Sequence, residues 1–425
     1  MYKLEVKLKQ HTPLIHFQHD QEGATLRASE VKPKLDRFIL GKLSPEERQI
    51  GENQGWIRSK NGKTWLDYKL RVEAKDNKPE EYLLASSYIR EEDMNALGKH
   101  NINAISNTPF FAQEKQNNAI KRSQNPQIEW DIIEKKGLLT KGDIYLTINT
   151  KDSDLSQIIT AQIQSFFVAN NFGTRQSKGF GSFTVTDLKC DKQEQKLRSV
   201  EDLLKESFIF VYKKRGVVPG ISSIFSTINN DYRLLKSGRT RPYAKSKLML
   251  YADSINANIG WDKKYIKVNT NNCFQKNDNE RYILQCTPKN RRESYSEKDG
   301  YLYYRAMLGL AEQFEFLLEN PARQNAKMIV KVSNQDIQRF QSPILFKVID
   351  DHVYLVGNEI PESILNKPFS FLVNFQGDTA FRNEPVSEDG SSILTPESFS
   401  LKNFIAFAMN NNTNNASLGY DIIKA

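Results

Sequence analysis

Cysteine is scarce in this chain, which has three cysteines in 425 residues: Cys190, Cys273 and Cys286. Their number is odd, and no two of them form a Cys-x-x-Cys pair. This pattern favours neither a disulfide framework nor a thiolate zinc site. We therefore expect reduced thiols and a reducing compartment.

Long apolar runs are also missing. No stretch approaches the ~20 apolar residues that a membrane-spanning helix needs. The first six residues alternate between polar and apolar side chains instead of forming the apolar core of a signal peptide. The sequence thus predicts a cytoplasmic protein that has no membrane partner.

Histidine is rare too, with five residues in the chain. His16 and His19 form a His-x-x-His pair in a polar loop after the first strand, but no third ligand is visible nearby, so we predict no metal site. Either histidine could instead act as a general base and take the proton of a ribose 2′-hydroxyl in metal-independent RNA cleavage. In a binding protein the same side chains would hydrogen-bond RNA or water.

Positive charge is in excess. Lys and Arg number 60 against 51 Asp and Glu, which gives a net charge of +9 and a pI of about 9.1. Residues 205–305 contain 20 basic and 9 acidic side chains, so this segment holds the whole excess. The chain length and the 39% hydrophobic content predict two or three globular domains.

The same segment holds 15 of the 45 aromatic residues. Cations beside flat rings are typical of proteins that bind single-stranded nucleic acid. The alternative is a half-buried domain whose aromatic residues form the core and whose lysines are solvated. The aromatic residues in question include Tyr212, Tyr232, Tyr243, Tyr251, Trp261, Tyr265, Tyr282 and Tyr295.

Apolar spacing in the first half alternates between the periods of strands and helices. Residues 4–8 predict a strand, and residues 29–39 predict a short helix that Ser29 caps and that has Pro33 near its first turn. Strands follow over residues 56–90, with a turn at residues 60–63. Residues 91–126, rich in Asn and Gln, predict an insertion that orders on binding.

The first half continues with two further strands, a clear helix over residues 154–170 and a last strand over residues 182–188. Strand, helix, two strands, helix, strand is the ferredoxin-like, RRM-like order βαββαβ. We therefore predict an α+β protein with two such domains and insertions. The predicted domains are residues 1–195, with the glycine-rich loop, and residues 196–425, basic and rich in aromatic residues.

For the second half we predict helices over residues 222–235, 244–255 and 301–318. Strands flank a turn at Asp350-Asp351, and another covers residues 368–375. Thr395 and Pro396 predict the start of a last helix that ends near Met409, because Thr caps well and Pro suits the first helical position.

The most informative string runs from Gly173 to Val185 and includes Gly-Thr-Arg-Gln-Ser-Lys-Gly-Phe-Gly-Ser. Its glycines let backbone amides approach an anion, and its basic side chains supply charge. It has no Gly-Lys-Ser/Thr ending, and it leads from helix to strand, so it fits neither a Walker loop nor a dinucleotide-binding fingerprint. We predict no cofactor and a phosphate-contacting loop. A helix C-cap followed by a glycine-kinked hairpin is the structural alternative.

Three motifs in this order resemble the RAMP superfamily of CRISPR proteins: Thr12-Pro13-Leu14, the string Leu26-Arg27-Ala28-Ser29 that leads to Arg37, and the glycine-rich loop before the last strand. The resemblance covers about residues 1–190. It implies an RNA-binding ferredoxin-like domain.

The second half resembles the C-terminal half of the two-domain, non-catalytic RAMP subunit of type III-B (Cmr) effector complexes. Residues 307–310, taken as helical, and residues 339–346 carry this resemblance, although no second glycine-rich loop follows the last helix. The resemblance implies an RNA-binding subunit that holds the 3′ portion of the guide RNA (crRNA) and/or target RNA in antiviral defence. Its partners would be single-stranded RNA and the other RAMP subunits.

Carried over residue by residue, the resemblance implies RNA contacts from the first helix and from the glycine-rich loop. Arg339 and Ser342 belong to the second motif, where a buried, capped turn is an equal alternative. Arg37 could instead pair with an acidic neighbour. The implied RNA-binding residues are Arg27, Lys34, Arg37, Arg175, Lys178, Gly179, Phe180, Gly181 and Ser182.

Two other functions stay open. The fold is shared with CRISPR endonucleases that process precursor guide RNA, for which His16 and His19 would be the catalytic candidates. The third possibility is a structural interaction protein without RNA contact. If RNA is bound, we expect the basic segment 205–305 to extend a path that begins at the glycine-rich loop.

Overall fold

We describe the protein from a computed structural model. The predictions for His19 and for the insertion at residues 91–126 lie outside the part of the chain that it describes. The described residues are 1–16, 25–74, 79–85, 103–105, 132–240, 242–266, 269, 283–284, 298–311, 313–319, 327–375, 382–386, 392–410 and 417–425.

The chain folds into helices and several sheets, a mixed α+β architecture as predicted. The elements of the first half are β1 Tyr2–Gln10, α1 Ala28–Leu40, α2 Pro45–Gln54, β2 Ile57–Lys60, β3 Lys63–Leu66, β4 Tyr68–Ala74, β5 Glu80–Ala85, β6 Asn103–Ile105, β7 Ile132–Leu139, β8 Ile144–Thr150, α3 Ser153–Ala169, β9 Phe183–Cys190 and β10 Gln193–Glu194.

The second half adds further strands and helices, and its short 3₁₀ turns are Tyr304–Leu308 and Glu362–Ile364. Its elements are α4 Val200–Ser207, β11 Phe210–Lys214, α5 Ile221–Lys236, β12 Arg239–Thr240, β13 Tyr243–Ala244, α6 Lys247–Ile255, β14 Ile259–Trp261, β15 Ile283–Leu284, β16 Gly300–Leu302, β17 Gln313–Glu319, β18 Lys327–Ser333, β19 Ile344–Ile349, β20 His352–Gly357, β21 Pro368–Phe375, β22 Arg382–Pro385, β23 Ile393–Leu394, α7 Leu401–Asn410 and β24 Tyr420–Lys424.

The first sheet has the strand order β10-β9-β1-β8-β4, and its neighbouring strands are antiparallel. Alternation in β1 buries Leu4, Val6 and Leu8, as the period-2 pattern predicts. The helices α1 and α3 contribute their apolar residues to the same core as these strands. The predicted strands, turn and long helix of this half are confirmed wherever they fall on described residues.

The first helix begins at Ala28, one residue before its predicted start. Arg27 is the N-cap residue and makes no side-chain cap, so the prediction of Ser29 as the cap is wrong, and Pro33 lies in the second turn. Pro33 has no N–H, so one hydrogen bond within the helix is missing. The helix tolerates this loss because its apolar face, which includes Val31 and Leu35, is fully buried.

The second sheet has the order β19-β20-β11-β24 and is also antiparallel. The β19–β20 hairpin turns at Asp350-Asp351 as predicted, with Asp350 at φ 51°. A further sheet combines strands that lie between α5 and β19 with β21, β22 and β23, which follow β20 in the chain. Its order is β14-β16-β23-β21-β18-β17-β15, with β22 beside β21.

The helix predicted over residues 301–318 is wrong. This stretch contains β16, the 3₁₀ turn Tyr304–Leu308 and β17 instead. Gly309 takes φ 98°, which ends the turn. Beyond it, Phe314 and Phe316 follow the period-2 spacing of a strand, which favours β17 over the predicted helix.

One other boundary also differs from its prediction. The last helix begins at Leu401 and not at Thr395, because the Thr395 hydroxyl donates to the Ile364 carbonyl at 2.6 Å and accepts from the Lys367 amide instead of capping a helix. Between β10 and β11 the chain also forms α4, a helix that was not predicted, whose Leu203 and Leu204 are buried. Among the described residues, no helix combines the length and the apolar character that crossing a membrane requires.

The two halves share one interior. Ile15 and Phe180, from the first half, belong to the same apolar cluster as residues of the second sheet and of α5. Phe180 stacks on Phe225 of α5, with ring centroids 3.9 Å apart. The segment that links α3 to β9 therefore lies between the halves.

We expect Gly181→Ala to destabilise the protein more than Gly55→Ala does. Both glycines have positive φ, 66° and 81°, so each alanine incurs the left-handed backbone cost of about 1–2 kcal/mol. A Cβ at Gly181 would also stand 2.0 Å from the carbonyl oxygen of Phe172, whereas nothing lies within 4 Å of one at Gly55. Thermal unfolding followed by circular dichroism measures both. Equal losses in Tm would contradict the steric role of Gly181.

Candidate nucleic-acid interface

The glycine-rich loop, residues 171–182, is closed by backbone bonds at its base. Phe172 N–H donates to the Gly181 carbonyl, and Asn171 pairs with Ser182 as a β-bridge. Gly173 has φ 77°, and a Cβ there would lie 2.4 Å from the Ile15 carbonyl oxygen. The glycines are thus required by close backbone packing.

Several amide groups of this loop already have acceptors within the protein. Gly181 N–H donates to the Pro13 carbonyl at 2.9 Å, and Thr174 N–H donates to the Ile15 carbonyl at 2.8 Å. Gly173 N–H donates to the Glu30 carboxylate. A phosphate that used these amides would therefore have to replace existing hydrogen bonds.

Much of the loop faces the second half of the chain. The Ser182 hydroxyl donates to the Val348 carbonyl at 2.6 Å, and the Ser177 carbonyl accepts from Phe346 N–H at 3.2 Å. A Cβ at Gly179 would lie 2.8 Å from the Cδ1 atom of Ile228. The RNA contacts predicted for Gly179, Phe180, Gly181 and Ser182 remain predictions at buried positions.

The two basic side chains of the loop are buried as well. Arg175 is 3% exposed, with φ 56° and its guanidinium 5.9 Å from the centroid of the Phe180 ring. Lys178 is 6% exposed, and its ammonium group lies over the ring of Tyr232. Neither side chain reaches solvent in this arrangement, and their predicted RNA contacts stay predictions.

The basic residues of α1 are more accessible. Lys34 donates to the Asn171 carbonyl and to the Gln176 side chain, both at 2.7 Å, so it joins the helix to the loop. Burial lowers the pKa of Lys34 to about 8, against the attraction of Glu30. Arg37 is exposed and donates to the Pro33 carbonyl at 3.2 Å.

Arg27 stands just before α1 and is half-buried. Its Nη2 atom is buried and has no hydrogen-bond acceptor among the described residues. Arg27, Lys34 and Arg37 thus provide three cations along one helix, with Arg37 close enough to Lys34 to lower its pKa further. We call this set the α1 basic edge.

Lys347 is a buried lysine beside the glycine-rich loop that the sequence patterns did not reveal. It lies in β19, is fully buried, and extends its ammonium group into the first half. There it donates to the carbonyls of Phe167 and Asn170 at 2.7 Å and 2.9 Å, to Asn171 Oδ1 at 3.1 Å and to the Phe183 carbonyl at 3.2 Å. Burial lowers the pKa of Lys347, and the positive charge of Lys34 lowers it further.

His11 makes a second connection between the halves. Its Nδ1 accepts from Asp350 N–H at 3.0 Å, and its Nε2 lies 2.7 Å from the Thr184 hydroxyl. Burial lowers the pKa of His11 to about 4, although the Asp350 carboxylate opposes the shift. The imidazole is therefore neutral at pH 7.

Of the histidine candidates for catalysis, His16 is buried, at 4% exposure, and has contacts within the protein. In the part of the chain that the structure describes, no group of three or more His, Cys, Asp or Glu side chains is placed to hold a metal ion. Arg339 is exposed, and Ser342 is half-buried next to Gly309.

The aromatic residues of the basic segment are largely core, which favours the structural alternative over base stacking. Tyr212 and Tyr265 are 2% and 6% exposed. Tyr251 packs edge-on against Phe399, and Tyr232 lies beneath Lys178. Tyr282 and Tyr295 fall outside the described residues.

Two family models match the chain. The one described as the Cmr1 N-terminal domain matches residues 1–239, and the one described as the Cmr1 C-terminal domain matches residues 243–424. No curated protein sequence matches.

Several solved structures are similar in part. A chain of the type III-B Cmr-beta complex bound to cognate target RNA is 14% identical over 44% of this chain, with a TM-score of 0.28, and this chain spans 60% of it. Cmr1 from Pyrococcus furiosus, in its apo form, is 11% identical over 100% of this chain and 99% of its own, with a TM-score of 0.36. A chain of the Cmr-beta complex with target RNA, AMPPnP and ssDNA is 13% identical over 83% and 93%, with a TM-score of 0.38.

We expect Lys347→Met to lower the free energy of unfolding by about 3 kcal/mol or more, because it leaves buried oxygens without a donor. Lys205→Met is the control, since Lys205 is exposed and such changes stay within about 0.5 kcal/mol. Chemical denaturation of both variants measures the difference. A Lys347→Met variant as stable as the control would show that the four contacts are dispensable.

Stability should fall as the pH drops from about 6.5 to about 4. The unfolded His11 takes up a proton near pH 6.5, whereas the folded one resists protonation down to about 4, so acid favours the unfolded chain by up to about 3 kcal/mol. His11→Gln should flatten the Tm profile over this range, and His352→Gln, at an exposed position, should not. A profile that is equally steep in His11→Gln would refute the assignment.

Proposed function

This chain belongs to the Cmr1 family of RAMP proteins, and we propose that it is an RNA-binding subunit of a type III-B CRISPR effector complex. The main support for this proposal is the match of both Cmr1 domain models, which together cover almost the whole chain. The proposed partners are single-stranded RNA, as guide and/or target, and other RAMP subunits of the complex. The proposed location is the cytoplasm, and the proposed role is antiviral defence without chemistry of its own.

We also propose that each half contains a ferredoxin-like unit. In the first half, the sheet contains β1, β4, β8 and β9, named in chain order, and these strands lie in the order β9-β1-β8-β4. In the second half, β11, β19, β20 and β24 lie in the order β24-β11-β20-β19. Both orders are fourth-first-third-second, which supports a repeated βαββαβ plan with large insertions before β19 and after β20. A boundary near residue 195 agrees with this division.

The α1 basic edge is the proposed place where RNA first meets this subunit. Arg37 is exposed, and Lys34 connects the α1 basic edge to the glycine-rich loop by a hydrogen bond to the Gln176 side chain. Cations spaced along a helix suit the phosphates of a single strand, which they contact without reading sequence. The loop residues Arg175 and Lys178 then join the RNA site after the loop moves.

No observation favours a nuclease over a binding subunit. His16 is buried and has contacts within the protein, and His19 lies outside the described residues. We therefore propose no second function.

Arg37→Glu should weaken binding to a fluorescently labelled single-stranded RNA, because a carboxylate replaces a cation at the exposed part of the α1 basic edge. We expect the slope of log K against log salt to decrease in size by about 1 or more. Arg71→Glu is the matched control, since Arg71 is a 74% exposed arginine on β4 that does not belong to the α1 basic edge. Fluorescence anisotropy over a range of salt concentrations measures both variants.

Equal affinities and slopes for wild type, Arg37→Glu and Arg71→Glu would remove α1 from the proposed interface. The RNA recovered from metal-free incubations is expected to be intact on a gel. A discrete cleavage product would instead favour the processing endonuclease.

A further inference from the structure

Strand β24, at one edge of the second sheet, has a strand neighbour on one side. It pairs with β11, and within the described part of the chain no other strand pairs with its outer side. In an antiparallel strand, backbone N–H and C=O groups point alternately to the two sides. The outward groups of β24 are therefore a template on which a further strand can pair.

The other edges of the first and second sheets are protected against such pairing. β10 is two residues long, and the glycine-rich loop covers β19, since Phe346 N–H donates to the Ser177 carbonyl at 3.2 Å. β4 carries Lys69 and Arg71 at exposed positions, and charged side chains deter the addition of a strand. β24 instead presents Ile422, which is 60% exposed.

Side chains hold β24 in place along its length. The Tyr420 hydroxyl donates to Asp231 Oδ2 at 2.9 Å, and the Lys424 ammonium group donates to two carbonyls at the C-terminal end of α4. Ile423 packs against the apolar cluster that includes residues of α4 and β11. Ile422 lies between these anchors. An edge that is already ordered loses little conformational entropy when a strand adds to it.

The residues of β24 disfavour a second copy of this chain as the added strand. A twofold axis between two antiparallel copies pairs residues that lie on the same face of the sheet. The register with the longest overlap then puts Asp421 opposite Ile423. The two neighbouring registers put Asp421 opposite Asp421 or Lys424 opposite Ile422. Each register therefore sets a charge against an apolar side chain or against a like charge.

We propose that β24 accepts an extended strand from a neighbouring subunit of the effector complex, which joins the second sheet through backbone hydrogen bonds. The added strand has apolar side chains opposite Ile422 and Ile423. It has a basic side chain opposite Asp421, which is 60% exposed and lies 3.4 Å from Arg215. A polypeptide suits this edge because it offers the alternating amides and carbonyls that RNA lacks. That the neighbour belongs to a type III-B complex rests on the proposed function.

Binding of the other purified subunits of the complex to the full chain tests this edge. We expect Ile422→Lys to weaken binding about tenfold or more, because a lysine in the middle of an edge strand opposes pairing. Ile50→Lys is the matched control, since Ile50 is 47% exposed on α2, and it should bind like wild type. Biolayer interferometry measures the affinities. Circular dichroism should give similar Tm values for the three proteins, because both substitutions are at exposed positions.

Two independent measurements decide on the edge if Ile422→Lys lowers the Tm. Asp421→Lys should weaken subunit binding several-fold, because it repels the basic side chain expected opposite it. Asp187→Lys should bind like wild type, since Asp187 is a 46% exposed, ion-paired residue of β9. In wild type, hydrogen exchange of the outward backbone amides of residues 420–424 should slow when the subunits bind.

Wild-type affinity in both Ile422→Lys and Asp421→Lys, or unchanged hydrogen exchange in β24, would overturn strand addition and leave the proposed function intact. Analytical ultracentrifugation of the chain alone tests the second copy. A wild-type dimer that Ile422→Lys abolishes would overturn the proposed partner. If wild type binds none of the other subunits, the proposed function fails and this inference fails with it.

Discussion

The ammonium group of Lys347 connects the two halves of the protein, because β19 projects it into four oxygens at the junction of α3, the glycine-rich loop and β9. Separating the halves would break all four of these hydrogen bonds. Ser182, His11 and Asn171 add direct hydrogen bonds around it. The loop therefore has hydrogen bonds to both halves of the protein, and its glycines are required where the backbone packs too closely for a side chain.

This arrangement changes how the glycine-rich loop relates to RNA. The sequence suggests that loop amides and cations contact a phosphate. In the structure several of these amides are hydrogen-bonded within the protein, and Arg175 and Lys178 are buried. The accessible cations are on α1, and Lys34 joins this helix to the loop by donating a hydrogen bond to the Asn171 carbonyl. If RNA engages the loop itself, it must compete with the contacts between the halves, so RNA binding and the arrangement of the halves are coupled.

Local patterns predicted the strands at residues 4–8 and 368–375 and the helix at residues 154–170, because their apolar residues follow the period of the element. Local patterns predicted the wrong structure over residues 301–318. The run of good helix formers favoured a helix, whereas Gly309 ends a turn there and the alternation of Phe314 and Phe316 belongs to a strand. Thr395 was misassigned since its hydroxyl bonds to a carbonyl 31 residues away. The aromatic residues of the basic segment were ambiguous, because core and stacking surfaces use the same side chains.

By itself the sequence determined the α+β class, most of the elements of the first half and the family, since alternation and motif order are properties of neighbouring residues. The tertiary structure decided which charged residues are accessible. Lys347 looks like an ordinary lysine in a strand, and Lys178 looks like a phosphate-binding lysine in a loop. Burial depends on contacts between residues more than 100 positions apart, and only the packing of β19 and α5 against the loop separates a satisfied ammonium from one that lacks an acceptor.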